Sequence, residues 1–414
     1  MNHMKIIYSL LFILLCSPIH AEDVFTTEDI YSLKDITLSD VSEDGNGIVF
    51  ITSQAENKYD GFKNTLYFLD AHKGKKVKLL ESYGSKGMNF SSIKFSSNSK
   101  SIFFLSSGMK TSGKESNQIW SLNLSNRVKR KVTNFDGDIS DYDVSDDGKT
   151  IAFIGQRSSD QKADTKTPSP IVIDRYQFKR DYEGFLGPNR DHLFIFDTQS
   201  RKVEQITSGQ KDHLYPSISP NGENIAYMTK EGDFDRHNNW EIFIKNIKGE
   251  ESHRKLLSNN GEDISTSYPS RPEWSPDGEK ITYLHGGDHS MLWYALQEVS
   301  IIDVETGDID FISQGFDRNT SLPQWSGDGQ NIFFILEDNM KSQLMKYSLL
   351  DNTTKKITPD NMYLSGYAQS YHVTDDEIIF QSSTSEIPSE IYHLKEDQIN
   401  PITSVNEQFI KNKL

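Results

Sequence analysis

The chain has 414 residues, of which 60 are acidic and 44 basic, and its net charge is −16 at pH 7. This charge, with no basic stripe, excludes a nucleic-acid-binding surface, because phosphates are neutralised by clustered lysine and arginine. Hydrophobic residues make up 35% of the chain, which is low for a polytopic membrane protein, whereas 11% of aromatic residues can fill a large core. We therefore expect a large soluble globular fold.

The first 21 residues have the pattern of a secretory signal peptide. Lys5 precedes an apolar stretch over 6–16, and the segment ends in the small residue Ala21. The stretch is about half the ~20 residues that span a bilayer, so an uncleaved anchor is the less favoured alternative. We expect an exported protein, periplasmic or secreted, with no membrane span after cleavage. The only cysteine, Cys16, lies within the signal, so the exported chain would contain no disulfide.

A short unit then recurs seven times along the chain. Each copy has an apolar or aromatic residue, a serine or threonine, a turn rich in Asp, Asn and Gly, and an apolar strand that begins 46 to 74 residues after the previous one. The copies are Val41 to Phe50, Phe95 to Phe104, Val144 to Phe153, Ile218 to Tyr227, Trp274 to Tyr283, Trp325 to Phe334 and a degenerate Val373 to Phe380.

This repeat predicts a seven-bladed β-propeller. Asp-Gly and Asn-Gly favour tight hairpin turns, and alternating apolar residues predict strands on both sides of them. Further strands in each copy, such as Asn64 to Leu69 and Glu241 to Ile244, bring the count to four per blade. We expect an all-β propeller over residues 22–404 and a short exit segment over 405–414. A β-sandwich is the alternative, but it would not repeat one turn sequence seven times.

The repeats also carry a family resemblance. Ser-Pro-Asp-Gly before a strand resembles TolB-like propeller repeats, and Phe25 to Lys34 resembles the propeller start of prolyl oligopeptidase family serine peptidases. The stretch from Arg175 to Gly187 is similar to an insertion in the acylaminoacyl-peptidase and dipeptidyl-peptidase-like branch. The resemblance implies a propeller that restricts access to the Ser-Asp-His site of an α/β-hydrolase domain. In that family the hydrolase domain follows the propeller, and residues 405–414 resemble the point at which it would begin.

Catalytic and metal-binding patterns are not found in the sequence. The Gly-x-Ser-x-Gly turn of a hydrolase nucleophile does not occur, and His285 to Ser290 has triad residue types in positions too close together to converge. Acidic clusters that include Asp141, Asp143 and Asp235 are interpreted as solvated turn residues, since no closing glutamate completes a calcium loop. We expect no catalytic residue, metal or cofactor in this chain.

The long insertion over residues 155–190 is the best candidate for a functional surface. It combines arginines with exposed-type aromatic residues, a composition enriched at protein interfaces. The candidate docking residues are Arg175, Tyr176, Phe178, Arg180, Tyr182 and Phe185. A rim loop that packs only on its own blade is the alternative interpretation.

Three functions are compatible with this sequence. The first is the noncatalytic, access-controlling propeller of an exported prolyl oligopeptidase-like peptidase, truncated or acting with a separate α/β-hydrolase half, and inactive alone. The second is a stand-alone TolB-like periplasmic propeller that binds a protein or peptide. The third is a propeller enzyme of another class, such as a metal-dependent lyase, for which the sequence offers no convergent set of residues around the channel.

Overall fold

The computed structural model describes residues 26–413 with gaps. The residues outside it within that range are 57–60, 84–85, 109–115, 158–170, 174, 182–183, 238, 250–252, 257–270, 289, 292–293, 366–368 and 375–376. The predicted signal peptide, residues 1–21, lies outside the described residues. Within them, the structure contains no helix with the length and apolarity needed to cross a membrane.

Seven antiparallel sheets follow one another along the chain, and each forms one blade whose strands lie in sequence order. Blade 1 contains β1 (Lys34–Val41), β2 (Gly47–Glu56), β3 (Gly61–Asp70), β4 (Lys75–Tyr83) and the short β5 (Lys86–Gly87). Blade 2 contains β6 (Ser91–Phe95), β7 (Ser101–Ser106), β8 (Gln118–Asn123) and β9 (Lys129–Lys131). Blade 3 contains β10 (Gly137–Val144), β11 (Thr150–Arg157), β14 (His192–Asp197) and β15 (Val203–Gln205), and its insertion forms the hairpin of β12 (Lys179–Arg180) and β13 (Gly184–Phe185).

The remaining four blades have four strands each. Blade 4 contains β16 (His213–Ile218), β17 (Asn224–Thr229), β18 (Glu241–Asn246) and β19 (Arg254–Lys255). Blade 5 contains β20 (Glu273–Trp274), β21 (Lys280–His285), β22 (Glu298–Asp303) and β23 (Ile309–Phe311). Blade 6 contains β24 (Thr320–Trp325), β25 (Asn331–Asp338), β26 (Lys341–Ser348) and β27 (Thr353–Lys356), and blade 7 contains β28 (Tyr371–Val373), β29 (Ile378–Ser382), β30 (Glu390–Lys395) and β31 (Gln398–Pro401). The described helices are two 3-10 turns, Thr27–Ser32 and Gln314–Phe316, and α1 (Glu407–Lys413). The predicted seven-bladed, all-β fold is confirmed.

The repeated turn joins the first and second strands of a blade, and blade 5 shows how its side chains hold it. The Ser275 hydroxyl donates to Asp277 Oδ1 at 2.5 Å and accepts the backbone N–H of Lys280 at 2.9 Å. Gly278 has a φ of +74°, which a residue with a Cβ adopts only at a steric cost. The Ser-x-Asp-Gly sequence therefore fixes both the direction and the tightness of the hairpin.

The core is divided into seven apolar clusters of described residues, one at each interface between neighbouring blades. The cluster between blades 1 and 7, for example, packs Ile36 and Phe50 against Ile379 and Ile391. A single blade would leave both faces of its sheet exposed to water, and the circular arrangement covers them. The stability of the ring thus depends on every interface, including the one between the first and last blades.

Within the described residues, the ring closes by side-chain contacts and not by an exchanged strand. Asn406, after the last strand, accepts the Lys34 N–H at 2.9 Å and donates to the Lys34 carbonyl at 2.8 Å. Gln381 of blade 7 also accepts the Leu38 N–H at 2.9 Å. A simple expectation would be that the segment before Lys34 adds an edge strand to blade 7. Its described part instead forms the 3-10 turn Thr27–Ser32, and all four strands of blade 7 come from the end of the chain.

Because strands alternate in direction, the propeller has two different faces. The turns between first and second strands, such as 275–279, lie on one face, which we call the turn face. The connections between second and third strands, such as 383–389, lie on the opposite face, the loop face. The insertion of blade 3 and the helix α1 are both on the loop face.

Candidate functional site: the central channel

The inner strands of the seven blades surround a central channel with a cavity volume of about 990 Å³. The residue two positions before the serine or threonine of each repeat lines this channel in every blade. These seven residues, which we call the channel ring, are Asp40, Lys94, Asp143, Ser217, Glu273, Gln324 and His372. The same position of each repeat therefore contributes one polar side chain to the channel lining.

Bulges in the inner strands turn these side chains towards the axis. The pairing register of the inner strand with the second strand shifts directly before the ring residue in four blades and two residues earlier, at Asp141, in blade 3. In three of these strands a residue of the bulge has a positive φ, namely Ser92, Tyr215 and Leu322. A bulge bends its strand and re-aims the neighbouring side chains. The regular alternation of side-chain directions is therefore broken beside the channel.

Two ion pairs cross between blades inside the channel. The Lys94 ammonium lies 2.7 Å from Asp143 Oδ1, and the Arg271 guanidinium lies 2.7 Å and 2.9 Å from the two oxygens of Asp141. Burial opposes ionisation of Asp143, but Lys94, Arg271 and the donated N–H of Ile218 outweigh burial and lower its pKa. The interpretation of Asp141 and Asp143 as solvated turn residues is therefore wrong, because the circular arrangement places them in the channel.

Ring side chains also bind the backbone of the following blade. Asp40 accepts the N–H of Phe95 at 2.5 Å, and Gln324 accepts that of Val373 at 3.3 Å. In both cases the donor stands one position after the ring residue of the next blade. The same side chains that give the channel its polarity thus fix the spacing between blades.

Glu273 and His372 are the ring members with perturbed acid–base properties. Burial raises the pKa of Glu273 to about 7, and the nearby Arg271 and Lys94 only partly oppose this. Burial lowers the pKa of His372, whose Nδ1 lies 3.5 Å from Asp40. Among the described residues, His372 Nε2 has no hydrogen-bond partner. The channel therefore combines neutral imidazole, a carboxyl group that titrates near neutrality and two matched ion pairs.

The docking residues predicted from the sequence lie on the loop face, away from the channel lining. The Arg175 guanidinium is 3.7 Å from Asp212 and 3.8 Å from Asp235, and it donates to the Gly187 carbonyl at 3.3 Å. Asp235 is thus an ion-pair partner that anchors the insertion and not a solvated turn residue. Arg175 has only 6% of its side chain exposed, so its place is internal to the insertion.

The aromatic members of the predicted surface are exposed. Tyr176 is 67% exposed and lies beneath the Arg236 guanidinium at 4.9 Å from its ring centre. Phe178 and Phe185 stack with ring centres 6.3 Å apart across the β12–β13 hairpin. The backbone of Arg180 belongs to β12, its side chain is outside the description, and Tyr182 lies outside the described residues. A binding role for this surface stays a prediction.

Exposed apolar side chains are concentrated on the loop face. Of the seventeen large hydrophobic residues that are exposed in the described part of the chain, thirteen lie on this face. They are Ile30, Tyr31, Phe62, Ile171, Val172, Ile173, Tyr176, Phe178, Phe185, Met291, Tyr294, Met340 and Ile387. Such a concentration of exposed apolar surface on one face is typical of a protein interface.

Comparison with known proteins places this propeller beside those of peptidases. No family model matches the chain. It is 20% identical over 409 residues to the uncharacterized peptidase YuxL of Bacillus subtilis, covering 94% of this chain and 60% of that protein. It is 24% identical over 199 residues to dipeptidyl-peptidase 5 of Porphyromonas gingivalis, covering 47% of this chain and 28% of that protein. The chain therefore spans less than two thirds of the length of either relative.

Solved structures give the same result for the fold. The acylaminoacyl peptidase of Pyrococcus horikoshii matches with a TM-score of 0.69 at 16% identity, over 92% of this chain and 54% of that one. The β-propeller domain of the trilobed protease of Pyrococcus furiosus, described as having an open velcro topology, matches with a TM-score of 0.61 at 14% identity, over 90% of this chain and 99% of that one. Fold and channel thus define a seven-bladed propeller. More particularly, its fold is similar to that of the propeller domains of peptidases.

The channel ring was missed by sequence reasoning, although a signal for it exists. Aligning the seven repeats on their serine or threonine places Asp40, Lys94, Asp143 and Glu273 in one column, directly before the apolar residue. That column is polar in all seven copies. Only the closed ring shows that it faces one shared cavity.

Proposed function

We propose that this chain is the noncatalytic, access-controlling propeller of an exported serine peptidase of the prolyl oligopeptidase type. In this proposal an α/β-hydrolase catalytic module docks on the loop face and receives peptides that pass along the central channel. The observation that carries the proposal is the concentration of thirteen exposed apolar residues on the loop face. The relatives named as peptidases support it, since their propellers share this fold.

The channel has the properties that an access filter needs. Its wall is held by hydrogen bonds and ion pairs between blades. A folded protein is tens of ångströms across, and its volume is far larger than that of the cavity, which is about 990 Å³. Short or unfolded peptides would enter, and folded proteins would be excluded.

The test measures size selection by the assembled peptidase. The chain is combined with an α/β-hydrolase module encoded in the same or a neighbouring reading frame, and cleavage of a short fluorogenic peptide is compared with cleavage of a folded protein. We expect the assembly to cleave the peptide and spare the protein, and the hydrolase module alone to lose this selection. Equal selection with and without the propeller would refute the access role, and partner capture by a stand-alone binding propeller would then be the function to pursue.

A second measurement tests the docking surface by mutation. Phe178→Ala combined with Phe185→Ala should weaken assembly at least about tenfold, because aromatic side chains dominate the binding energy of interfaces. Val128→Ala is the matched control, since Val128 is 44% exposed but lies on the turn face. Sedimentation of the mixture with the hydrolase module measures both. Unchanged assembly of the double variant, with an unchanged unfolding temperature, would remove this surface from the proposal.

A further inference from the structure

The channel lining carries more carboxylates than cations. Among the described residues that line it, the acidic groups are Asp40, Asp141, Asp143, Asp146 and Glu273, and the basic groups are Lys94 and Arg271. Since His372 is held neutral by burial, the lining has a net negative charge. The channel therefore attracts cations and repels anions before any specific contact forms.

Neither cation of the channel is available to an incoming ligand. Lys94 is 2.7 Å from Asp143, and the guanidinium of Arg271 binds Asp141 and donates to the Pro216 carbonyl. The carboxylates of these two pairs are therefore matched within the protein. The excess negative charge resides in the other three acidic groups.

Glu273 is the one of these three placed to receive a ligand. Asp40 already accepts the Phe95 N–H and lies beside His372, and Asp146 is exposed at the mouth of the channel. Glu273 lies within the channel lining, and among the described residues its carboxylate has neither a hydrogen-bond donor nor an ion-pair partner. An ionised carboxylate in this position costs free energy, and either protonation or an approaching cation relieves that cost.

The backbone around Glu273 is hydrogen-bonded to the blades on both sides. The indole N–H of the adjacent Trp274 donates to the Ser217 carbonyl of blade 4 at 3.0 Å. The Glu273 carbonyl accepts the indole N–H of Trp325 in blade 6 at 3.1 Å. The backbone at Glu273 is thus fixed relative to both neighbouring blades.

We propose that the channel binds peptides through a positively charged group, either the amino terminus or a lysine or arginine side chain, and that Glu273 receives this group. The inference rests on the proposed function only in taking the ligand to be a peptide. A charge-assisted hydrogen bond to a carboxylate is stronger than a neutral one, and a restricted channel weakens it less than bulk water would. Burial raises the pKa of Glu273 more than the nearby Arg271 and Lys94 lower it, which agrees with a carboxyl group that forms no ion pair of its own.

A peptide cation fits this site better than a metal ion or an anionic ligand. Metal ions take several protein ligands at once, and no group of three or more His, Cys, Asp or Glu residues converges for one within the described part of the chain. An acidic peptide would have to break one of the two ion pairs to find a cation. A single ammonium or guanidinium group needs only the free carboxylate.

The test is calorimetric titration of the full chain with three short Gly-Ser peptides. The first is acetylated, amidated and has one central lysine. The second has norleucine in place of that lysine, and the third is the norleucine peptide with a free amino terminus. We expect the second to bind at least about tenfold more weakly than the better of the other two, which corresponds to about 1.4 kcal/mol. Whether the first or the third binds better identifies the source of the cation.

Two variants assign the effect to Glu273. Glu273→Gln should remove the preference for the charged peptide, whereas Glu273→Asp should retain a part of it. Glu279→Gln is the matched control, because it removes one charge from the exposed turn of the same blade, outside the channel lining. Circular dichroism and thermal unfolding show whether each variant is folded. If Glu273→Gln does not fold, the comparison of the three peptides on the wild-type chain still decides whether a cation is recognised.

The outcomes separate this inference from the proposed function. Equal binding of all three peptides, no binding of any of them, or an unchanged preference in folded Glu273→Gln, would overturn the inference. If the assembled peptidase still discriminates by size in that case, the access role stands without a cation site. Charge-selective binding without size selection would support the cation site and refute the access role.

Discussion

The contact that closes the ring gives a quantitative prediction. Asn406 is 2% exposed, and its amide forms two hydrogen bonds to the backbone of Lys34, at 2.9 Å and 2.8 Å. Asn406→Ala removes both bonds, each worth about 1 kcal/mol, and leaves partly buried backbone groups unpaired. We expect the free energy of unfolding to fall by about 2–3 kcal/mol. With an unfolding entropy of about 2.1 cal/mol/K per residue over 414 residues, the Tm should decrease by about 3 °C.

Denaturant unfolding followed by tryptophan fluorescence measures this change. Gln408→Ala is the control, because Gln408 is exposed on the same exit segment and its side chain has no hydrogen bond within the described structure. Amide hydrogen exchange of Lys34 adds a local readout, since its N–H is protected by Asn406 itself. If both variants unfold at the same denaturant concentration and the Lys34 amide stays protected, the side-chain closure does not hold the ring. The apolar cluster between blades 1 and 7 would then be sufficient for closure.

Two further predictions concern other parts of the fold. Gly137→Ala should destabilise the chain by at least about 3 kcal/mol, because a Cβ there would lie 2.2 Å from the Gln156 carbonyl. Gly232 has a φ of +62° but open space around it, so Gly232→Ala should cost only about 1 kcal/mol. Equal losses of stability in thermal unfolding would contradict this reasoning. Burial lowers the pKa of His213 to about 4, so its stabilising effect is complete above the ordinary histidine pKa of about 6.5 and is lost as the pH falls towards 4. The free energy of unfolding should therefore fall between pH 7 and pH 4.5 more steeply in the wild type than in His213→Gln, and parallel pH profiles would show that His213 is not responsible.

The charged residues of the channel contribute both to its polarity and to the contacts between its blades. Replacing a buried ion pair by apolar residues is often neutral for stability, whereas removing one partner leaves an uncompensated charge. Lys94 and Asp143 also contact one another across the boundary between blades 2 and 3. Their substitution would therefore alter both the polarity of the passage and the spacing of its wall.

Much of the fold follows from local sequence patterns. The Ser275 to Gly278 turn needs only a hydroxyl, a carboxylate and a glycine within four residues, and its hydrogen bonds are all local. Seven such turns with alternating apolar residues predict seven hairpins, and hairpins of one kind can bury both faces only by packing side by side. The number of blades and the strand pairing within each were therefore predictable. The closure of the ring was not, because Asn406 and Lys34 are 372 positions apart.

The sequence by itself determined the repeat, the blade and the candidate insertion with its exposed Tyr176, Phe178 and Phe185. The tertiary structure alone decided which polar residues share a site. In the sequence, Asp141 and Arg271 are 130 positions apart and belong to different blades, and each resembles a solvated loop residue. Circular packing brings them to one axis, because only there do all seven inner strands lie within the reach of single side chains. The set of polar residues in the channel therefore depends on the closure of the ring, whereas the blades themselves depend on the local turn sequences.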